Sequence, residues 1–313
     1  MKIREKTFRL YWYFAAERQA IFYKKQRGDS APWTDDPILQ TYKFCNCYRV
    51  NDRVSQYLLN HVIYNGKQYS DRDMMFRILL FKLFNKESTW ELLERTLGDI
   101  TLDRFSIPTY SAILHQAMDQ GIAIYNDAYI SCANKAFGFD CKCDNHLALL
   151  YKMFVSDHLD QALSTVNTME EGFHLLLQYP LIGKFMAYQL ITDLNYSPIF
   201  HFSESEFTVA GPGAVRDIQK CFIDRGSMTN EEIIQWMCDH QEDCFEHYGF
   251  SFKPLHGRRL QYIDCQNLFC EVDKYCRQAV PELTSNRTKI KKQYRPKSEP
   301  IAYVYPPKWN LPY

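Results

Sequence analysis

The sequence predicts a mainly α protein, and three observations carry that prediction. Apolar residues recur at helical spacing through most of the 313 residues. Three capping boxes mark helix starts: Ser88 with Glu91, Thr168 with Glu171, and Thr229 with Glu232. Alternating strand patterns are scarce, reaching at most the short stretches 199–202 and 207–210.

Taken in order, an aromatic-rich helix over 7–27 stops at Gly28. The linker GDSAPWTDDP follows, with Asp36 as N-cap and Pro37 at the first position of a helix over 37–63. Further helices are expected at 71–85, 88–97, 109–119, 122–137, 145–155, 169–178, 184–195, 214–224, 230–247 and 258–279. The expected division is an N-terminal aromatic helix and linker (1–32), one helical domain (33–284) and a basic, proline-rich tail (285–313).

Composition narrows the function classes. At 46% apolar and 15% aromatic residues the chain is globular. Its formal net charge of zero excludes a global basic field, so any nucleic acid must be held by a local patch. The opening MKIREKTFRLYWYF has no signal-peptide core, and no run is long enough to span a membrane. A soluble, intracellular protein with no membrane partner is expected. The eleven cysteines sit mostly among Tyr, Phe and Leu, as reduced buried thiols do. Cys141-x-Cys143-x2-His146 is the best metal candidate, but structural zinc usually needs a second ligand pair and none is visible. No metal and no cofactor are expected.

The segment 180–217 carries the strongest functional signal. It joins a glycine turn, an apolar helix with one polar stripe, a loop holding Glu204 and Glu206, and the turn Gly211-Pro212-Gly213 ahead of a helix expected to open at Ala214. Glycines there allow positive φ or close approach to a ligand, and a helix N-terminus suits a phosphate. A carboxylate nearby can act as general base; Glu206, just ahead of the turn, is the better-fixed of the two by position. The tail combines the basic run Arg287, Lys289, Lys291, Lys292, Arg295 and Lys297 with Tyr294, Tyr303, Tyr305 and Trp309. Such a tail can follow a phosphate backbone or pack on its own domain.

Four apolar helices carry narrow polar stripes. These are Asn46, Arg49, Arg53 and Gln56; Lys82 and Asn85, followed by Thr89; Gln189, Thr192 and Asp193; and Asp264, Asn267, Glu271 and Lys274. Ordinary amphipathicity explains most stripes. Amides solubilise poorly and hydrogen-bond directionally, however, so a narrow amide-rich stripe between apolar flanks points to a shared polar pocket or to a structural network.

The segments WTDDPILQTYKFCNCYRVNDRVSQYL, LFKLFNKESTW, GKFMAYQLITDLNY, EFTVAGPGAVRDI and LQYIDCQNLFCEVDKY, collinear over about 33–280, resemble the superfamily of α-glutamyl/putrescinyl thymine pyrophosphorylases. That superfamily includes phage amino acid:DNA transferases and the helical domain of some 5-hydroxymethyl-deoxyuridine DNA kinases. The resemblance implies a helix-hairpin-helix fold similar to DNA glycosylases, with 33–284 as the catalytic domain. Pro180-Leu181-Ile182-Gly183 resembles the glycosylase hairpin turn, with Leu181 where the first glycine usually stands. Glu206 falls near the place of the glycosylase aspartate, and Glu instead of Asp counts against base excision.

The implied reaction replaces pyrophosphate on the 5-methyl carbon of a modified thymine in phage DNA with an amine, from an amino acid or polyamine. On that implication Asp193, Glu206 or Glu271 deprotonates the amine. Asn46, Asn85, Gln189, Asn195 and Tyr275 contact a flipped base. Arg49, Arg53, Lys82, Lys274, Gly211 and Gly213 hold phosphate or pyrophosphate. The alternatives are a glycosylase for a modified pyrimidine and a non-catalytic reader that partners a DNA kinase. The chain has no GxxxxGK[ST] motif, so kinase activity would belong to a partner.

Overall fold

In the computed structural model, residues 1–126, 132–283, 290, 292–295 and 301–311 are described. They are mainly helical. Strand β1 (Lys2–Ile3) precedes α1 (Glu5–Gln26), α2 (Pro37–Thr41), α3 (Arg53–Tyr57), α4 (Asp71–Phe84), α5 (Glu87–Leu97), α6 (Ile107–Asp119) and α7 (Lys142–Tyr151). Then come α8 (Leu159–Leu163), α9 (Met169–Leu177), α10 (Lys184–Leu194), α11 (Pro212–Cys221), strand β2 (Phe222–Asp224), α12 (Asn230–Asp239), α13 (Gln241–His247) and α14 (Tyr262–Ala279). The π-helical turns Leu58–Ile63 and Lys152–Ser156 extend α3 and α7.

The chain forms two compact units. Unit 1 comprises Met1–Asp52, Glu204–Tyr303 and Leu311–Tyr313; unit 2 comprises Arg53–Ser203 and Val304–Asn310.

Unit 1 is built on α1, α11 and α14. Tyr11, Trp12 and Phe14 are fully buried on α1, and Tyr11 packs on Phe269 of α14 at 4.5 Å between ring centroids. Helices α11 and α14 approach so closely that a Cβ on Gly213 would stand 2.9 Å from Cys270 Sγ and 3.2 Å from its Cα. A knot of charge ties the same helices: buried Asp273 accepts from Arg216, Lys220 and Arg277 at 3.0, 2.8 and 2.6 Å. Burial opposes ionisation of Asp273, yet the bonds from Lys220 and Arg216 hold its pKa below the usual range. Strands β1 and β2 pair antiparallel at the edge of this unit.

Unit 2 centres on α4, whose residues from Met74 to Phe84 are all buried. Arg77, fully buried, lies 3.9 Å from the Tyr69 ring and 4.9 Å from the Trp90 ring. It donates to the carbonyls of Val62 and Ile100. Helices α9 and α10 form a hairpin in which Gly172 gives Ile191 room, since a Cβ there would stand 2.5 Å from Ile191 Cδ1. Leu181 takes φ +68° in the hairpin turn, a left-handed conformation that glycine adopts with less strain.

The helices expected at 7–27, 71–85, 88–97, 109–119, 169–178 and 184–195 are present within three residues at each end. The boxes at Thr168 and Thr229 form, and Asp36 caps α2 with Pro37 at its start. The Ser88 box does not, because α5 begins at Glu87 with Lys86 as N-cap. The helix expected over 37–63 breaks after Thr41. Main-chain N–H groups of Cys45, Asn46 and Arg49 are taken by the carboxylates of Glu271, Asp52 and Asp264 instead of by helical carbonyls. Helix 230–247 breaks at His240, 258–279 starts at Tyr262, and 214–224 starts at Pro212 and gives way to β2. Residues 199–202 and 207–210 form no strand. Of the helix expected at 122–137, residues 127–131 lie outside the described residues and the rest is not helical.

Candidate functional site

Among the described residues, the expected site residues enter buried polar networks in both units. In unit 2, three of the expected residues meet. Lys82, at the end of α4, sits 3.1 Å from Asp193 Oδ2 of α10 and donates to Asn85 Oδ1 at 2.9 Å. Their side chains are 4% and 0% exposed for Lys82 and Asp193, so the pair is dry. Asn85 ends α4 at φ +51°, a left-handed cap that Asn tolerates, which turns its amide back onto Lys82. Gln189 lies one helical turn before Asp193 and is also buried. Thr192, from the same stripe, bonds back to the Tyr188 carbonyl at 2.8 Å.

The remaining unit 2 residues have other partners. Asn195 staples the chain after α10: its Nδ2 donates to Phe202 O at 3.1 Å and its Oδ1 accepts from Phe202 N at 3.0 Å. Lys308 donates to the carbonyls of Asn195, Ser197 and Phe200. Gln56 exchanges two bonds with the main chain of Val304, at 3.1 and 2.8 Å. Arg53, half-buried, opens α3.

In unit 1 the stripe of α14 faces the irregular segment 43–52. Glu271 Oε2 accepts from Cys45 N at 2.8 Å, and its Oε1 accepts from Lys274 at 2.7 Å. Asp264 accepts from Arg49 N at 2.8 Å and from Gln261 N at 3.1 Å. Burial pushes the Asp264 pKa up to about 7, against the pull of those N–H groups and of Arg258. Arg49 is itself buried and is not without a partner. Asn46 is used at both ends: Nδ2 donates to Asn51 O at 2.7 Å, and Oδ1 accepts from Arg18 at 3.1 Å. Tyr275 donates to Asp36 at 2.6 Å, beside Tyr13 on the same carboxylate.

The acidic loop reverses the order expected from position. Glu204 is fixed by Arg258 at 2.9 Å, whereas Glu206 is exposed. The GPG turn differs too. Gly211 is the N-cap at φ −69°, so no left-handed turn is made, and Gly213 is required by the contact with Cys270. The Ala214 N–H meets the Cys270 sulfur, whose pKa burial raises to about 11, and Ala210 N donates to Glu231 at 2.9 Å. Donors near this helix start are therefore partly taken by the protein itself.

In the tail, Arg287, Lys289, Lys291 and Lys297 lie outside the described residues. The aromatics that are described are packed. Lys25 lies 4.4 and 4.3 Å from the rings of Trp33 and Tyr294. Tyr303 meets Phe22, and Tyr305 and Trp309 stack.

Sequence reasoning missed Asp264 as a titrating group and the Asp273 knot. The signals were present as i, i+4 spacing in Arg216 with Lys220 and in Asp273 with Arg277.

A mainly helical chain with buried charge networks and, among the described residues, no helix long and apolar enough to cross a membrane is the class that fold and geometry define. The chain belongs to the family of the 5-hmdU DNA kinase helical domain, whose model matches residues 5–285. A curated relative, the 5-hmdU DNA kinase of Bacillus phage SP10, is 26% identical over 326 aligned positions, covering 96% of this chain and 50% of that protein. The chain thus spans about half the length of that relative. No solved structure matches.

Proposed function

We propose that this chain acts on thymine modified at its 5-methyl carbon in DNA, exchanging a pyrophosphate there for an amine. The observation that carries the reading is the dry Lys82–Asn85–Asp193 cluster, in a chain of the 5-hmdU DNA kinase helical-domain family. Pyrophosphate leaves with the C–O bond electrons, the amine nitrogen bonds to the exposed methylene, and the amine proton passes to a carboxylate. On this reading Lys82 stabilises the developing negative charge, and a cation acts most strongly where water is excluded. Asp193 receives the proton. Asn85 and Gln189 supply the directional bonds that recognise a pyrimidine edge. Glu271, Asn46, Asn195 and Tyr275 hold the fold around their own main-chain and side-chain partners.

The test is incubation with DNA bearing 5-hydroxymethyl-deoxyuridine pyrophosphate and a mixture of amino acids and polyamines, followed by nucleoside mass spectrometry. A nucleoside heavier by one amine, with pyrophosphate released, supports the exchange. Abasic sites with free modified base would replace it with a glycosylase. A second reading rests on the SP10 protein being twice as long: the chain engages modified thymine for a kinase activity located elsewhere. Tight binding of intact modified DNA, with the base unchanged, would favour that role.

A further inference from the structure

We infer that His115, Cys141, Cys143 and Asp144 form a divalent-metal site in unit 2, fitted to zinc. Their ligand atoms all lie within 4.8 Å of one another. The two sulfurs are 2.9 Å apart, His115 Nε2 is 2.9 Å from Asp144 Oδ2 and 3.9 Å from Cys143 Sγ, and Cys143 Sγ is 3.8 Å from Asp144 Oδ1. Zinc bonds of about 2.3 Å to sulfur and about 2.0–2.2 Å to nitrogen or oxygen place tetrahedral ligands roughly 3.3–3.8 Å apart. The observed separations of 2.9–3.9 Å lie on either side of that range.

The chemistry of the set matches as well. Two thiolates, one imidazole and one carboxylate select a borderline-soft ion over magnesium or calcium. Two thiolates and a carboxylate against a 2+ ion leave one net negative charge, placed where a helix favours it. Cys141 is the N-cap of α7, and Cys143 and Asp144 lie in its first turn. His115 comes from α6, packed against α7.

Supporting bonds hold the ligands in place. Ser111, one turn before His115, donates to Asp144 Oδ1 at 2.6 Å and leaves Oδ2 for the ion. Buried Asn145 donates to the carbonyls of Phe139 and Cys141, both at 2.8 Å, and accepts from Phe137 N at 3.0 Å. It thereby ties the incoming loop so that Cys141 meets Cys143. With four protein ligands the site is closed and structural, clamping this loop to α6 and α7.

The sequence triad Cys141, Cys143 and His146 pointed to these cysteines with the wrong partner. Buried His146 bonds instead to Tyr125 Oη at 2.9 Å and to Cys132 O at 3.0 Å, and burial lowers its pKa to about 4. His115 and Asp144 replace it, one from another helix and one adjacent to Cys143, which is why no second ligand pair was visible.

The site is tested on the full chain purified from zinc-supplemented cells. About one zinc per chain by elemental analysis is expected, and cobalt reconstitution should give a thiolate-to-cobalt charge-transfer band. His115→Ala, at a half-exposed ring, should weaken zinc about 10-fold or more against a chromophoric chelator. Cys141→Ser with Cys143→Ser should abolish the cobalt band, whereas Cys244→Ser should leave it intact. If the double variant does not fold, His115→Ala and Asp144→Asn decide the matter. A chain that takes up no zinc, or that keeps it in these variants, overturns the site. So does an intact mass two hydrogens light that maps to a Cys141–Cys143 disulfide.

Discussion

Two of the buried polar networks, one from each unit, are held in different ways. In unit 2, Lys82, Asn85 and Asp193 bond to one another, side chain to side chain. In unit 1, Asp52, Asp264 and Glu271 accept from the main-chain N–H groups of Asn46, Arg49, Gln261 and Cys45. A carboxylate bound to main-chain donors is part of the scaffold, because moving it strands a buried N–H. A carboxylate facing a buried lysine keeps its chemistry. One sequence pattern, a narrow polar stripe on an apolar helix, thus has two physical causes, and only the partner tells them apart.

Asp193→Ala removes the carboxylate facing the buried Lys82 ammonium, at a cost of about 3–5 kcal/mol. The melting temperature should fall by on the order of 10 °C; a fall of a degree or two by calorimetry would show that the pair is not buried together. Turnover should be lost in Asp193→Asn, which keeps the shape.

Asp264 offers the next largest effect. With a folded pKa of about 7 against a usual 3.8, the folded chain retains a proton that the unfolded chain has released. Its contribution is complete below about pH 4 and is lost as pH rises towards 7, an amount on the order of 4 kcal/mol. Melting curves across pH 4–8 should therefore show a fall in the wild type that Asp264→Asn flattens. Parallel curves for the two proteins would remove Asp264 from the account.

Smaller effects sharpen the scaffold side. Glu271→Ala strands the Cys45 N–H and should cost about 1–3 kcal/mol in denaturant titration, most of it recovered in Glu271→Gln. Gly213→Ala overpacks α11 against α14 by about 1–3 kcal/mol, and Cys270→Ala alongside it should recover part. A phosphate-binding role for Gly213 would instead show normal stability with weakened DNA binding.

Much of the fold was legible in the sequence. Helix ends with side-chain caps, such as Asp36, Thr168 and Thr229, could be placed because the signal is local. The helix expected over 37–63 could not be ruled out. What breaks it are the acceptors Asp264 and Glu271, more than two hundred residues away in sequence. Lys82, Asn85 and Asp193 were singled out because charge and amide interrupt apolar helices, and the fold brings them together. Gly213 shows the opposite case: its position in the sequence suggested close approach to a ligand, while its near neighbour is a cysteine of α14, which no local pattern shows. Glu204 is half-buried and reached by Arg258, whereas Glu206 is exposed, a difference that no local pattern shows.

The most direct test sets one variant from each unit side by side. Lys82→Met and Glu271→Gln, both checked as folded by circular dichroism, are assayed in single turnover on DNA bearing 5-hydroxymethyl-deoxyuridine pyrophosphate with an amine donor. A loss of at least roughly 100-fold is expected for Lys82→Met, matching removal of one preorganised charge, and a rate within a few-fold of wild type for Glu271→Gln. Equal rates for the two variants, or a loss confined to Glu271→Gln, would contradict the role given to Lys82.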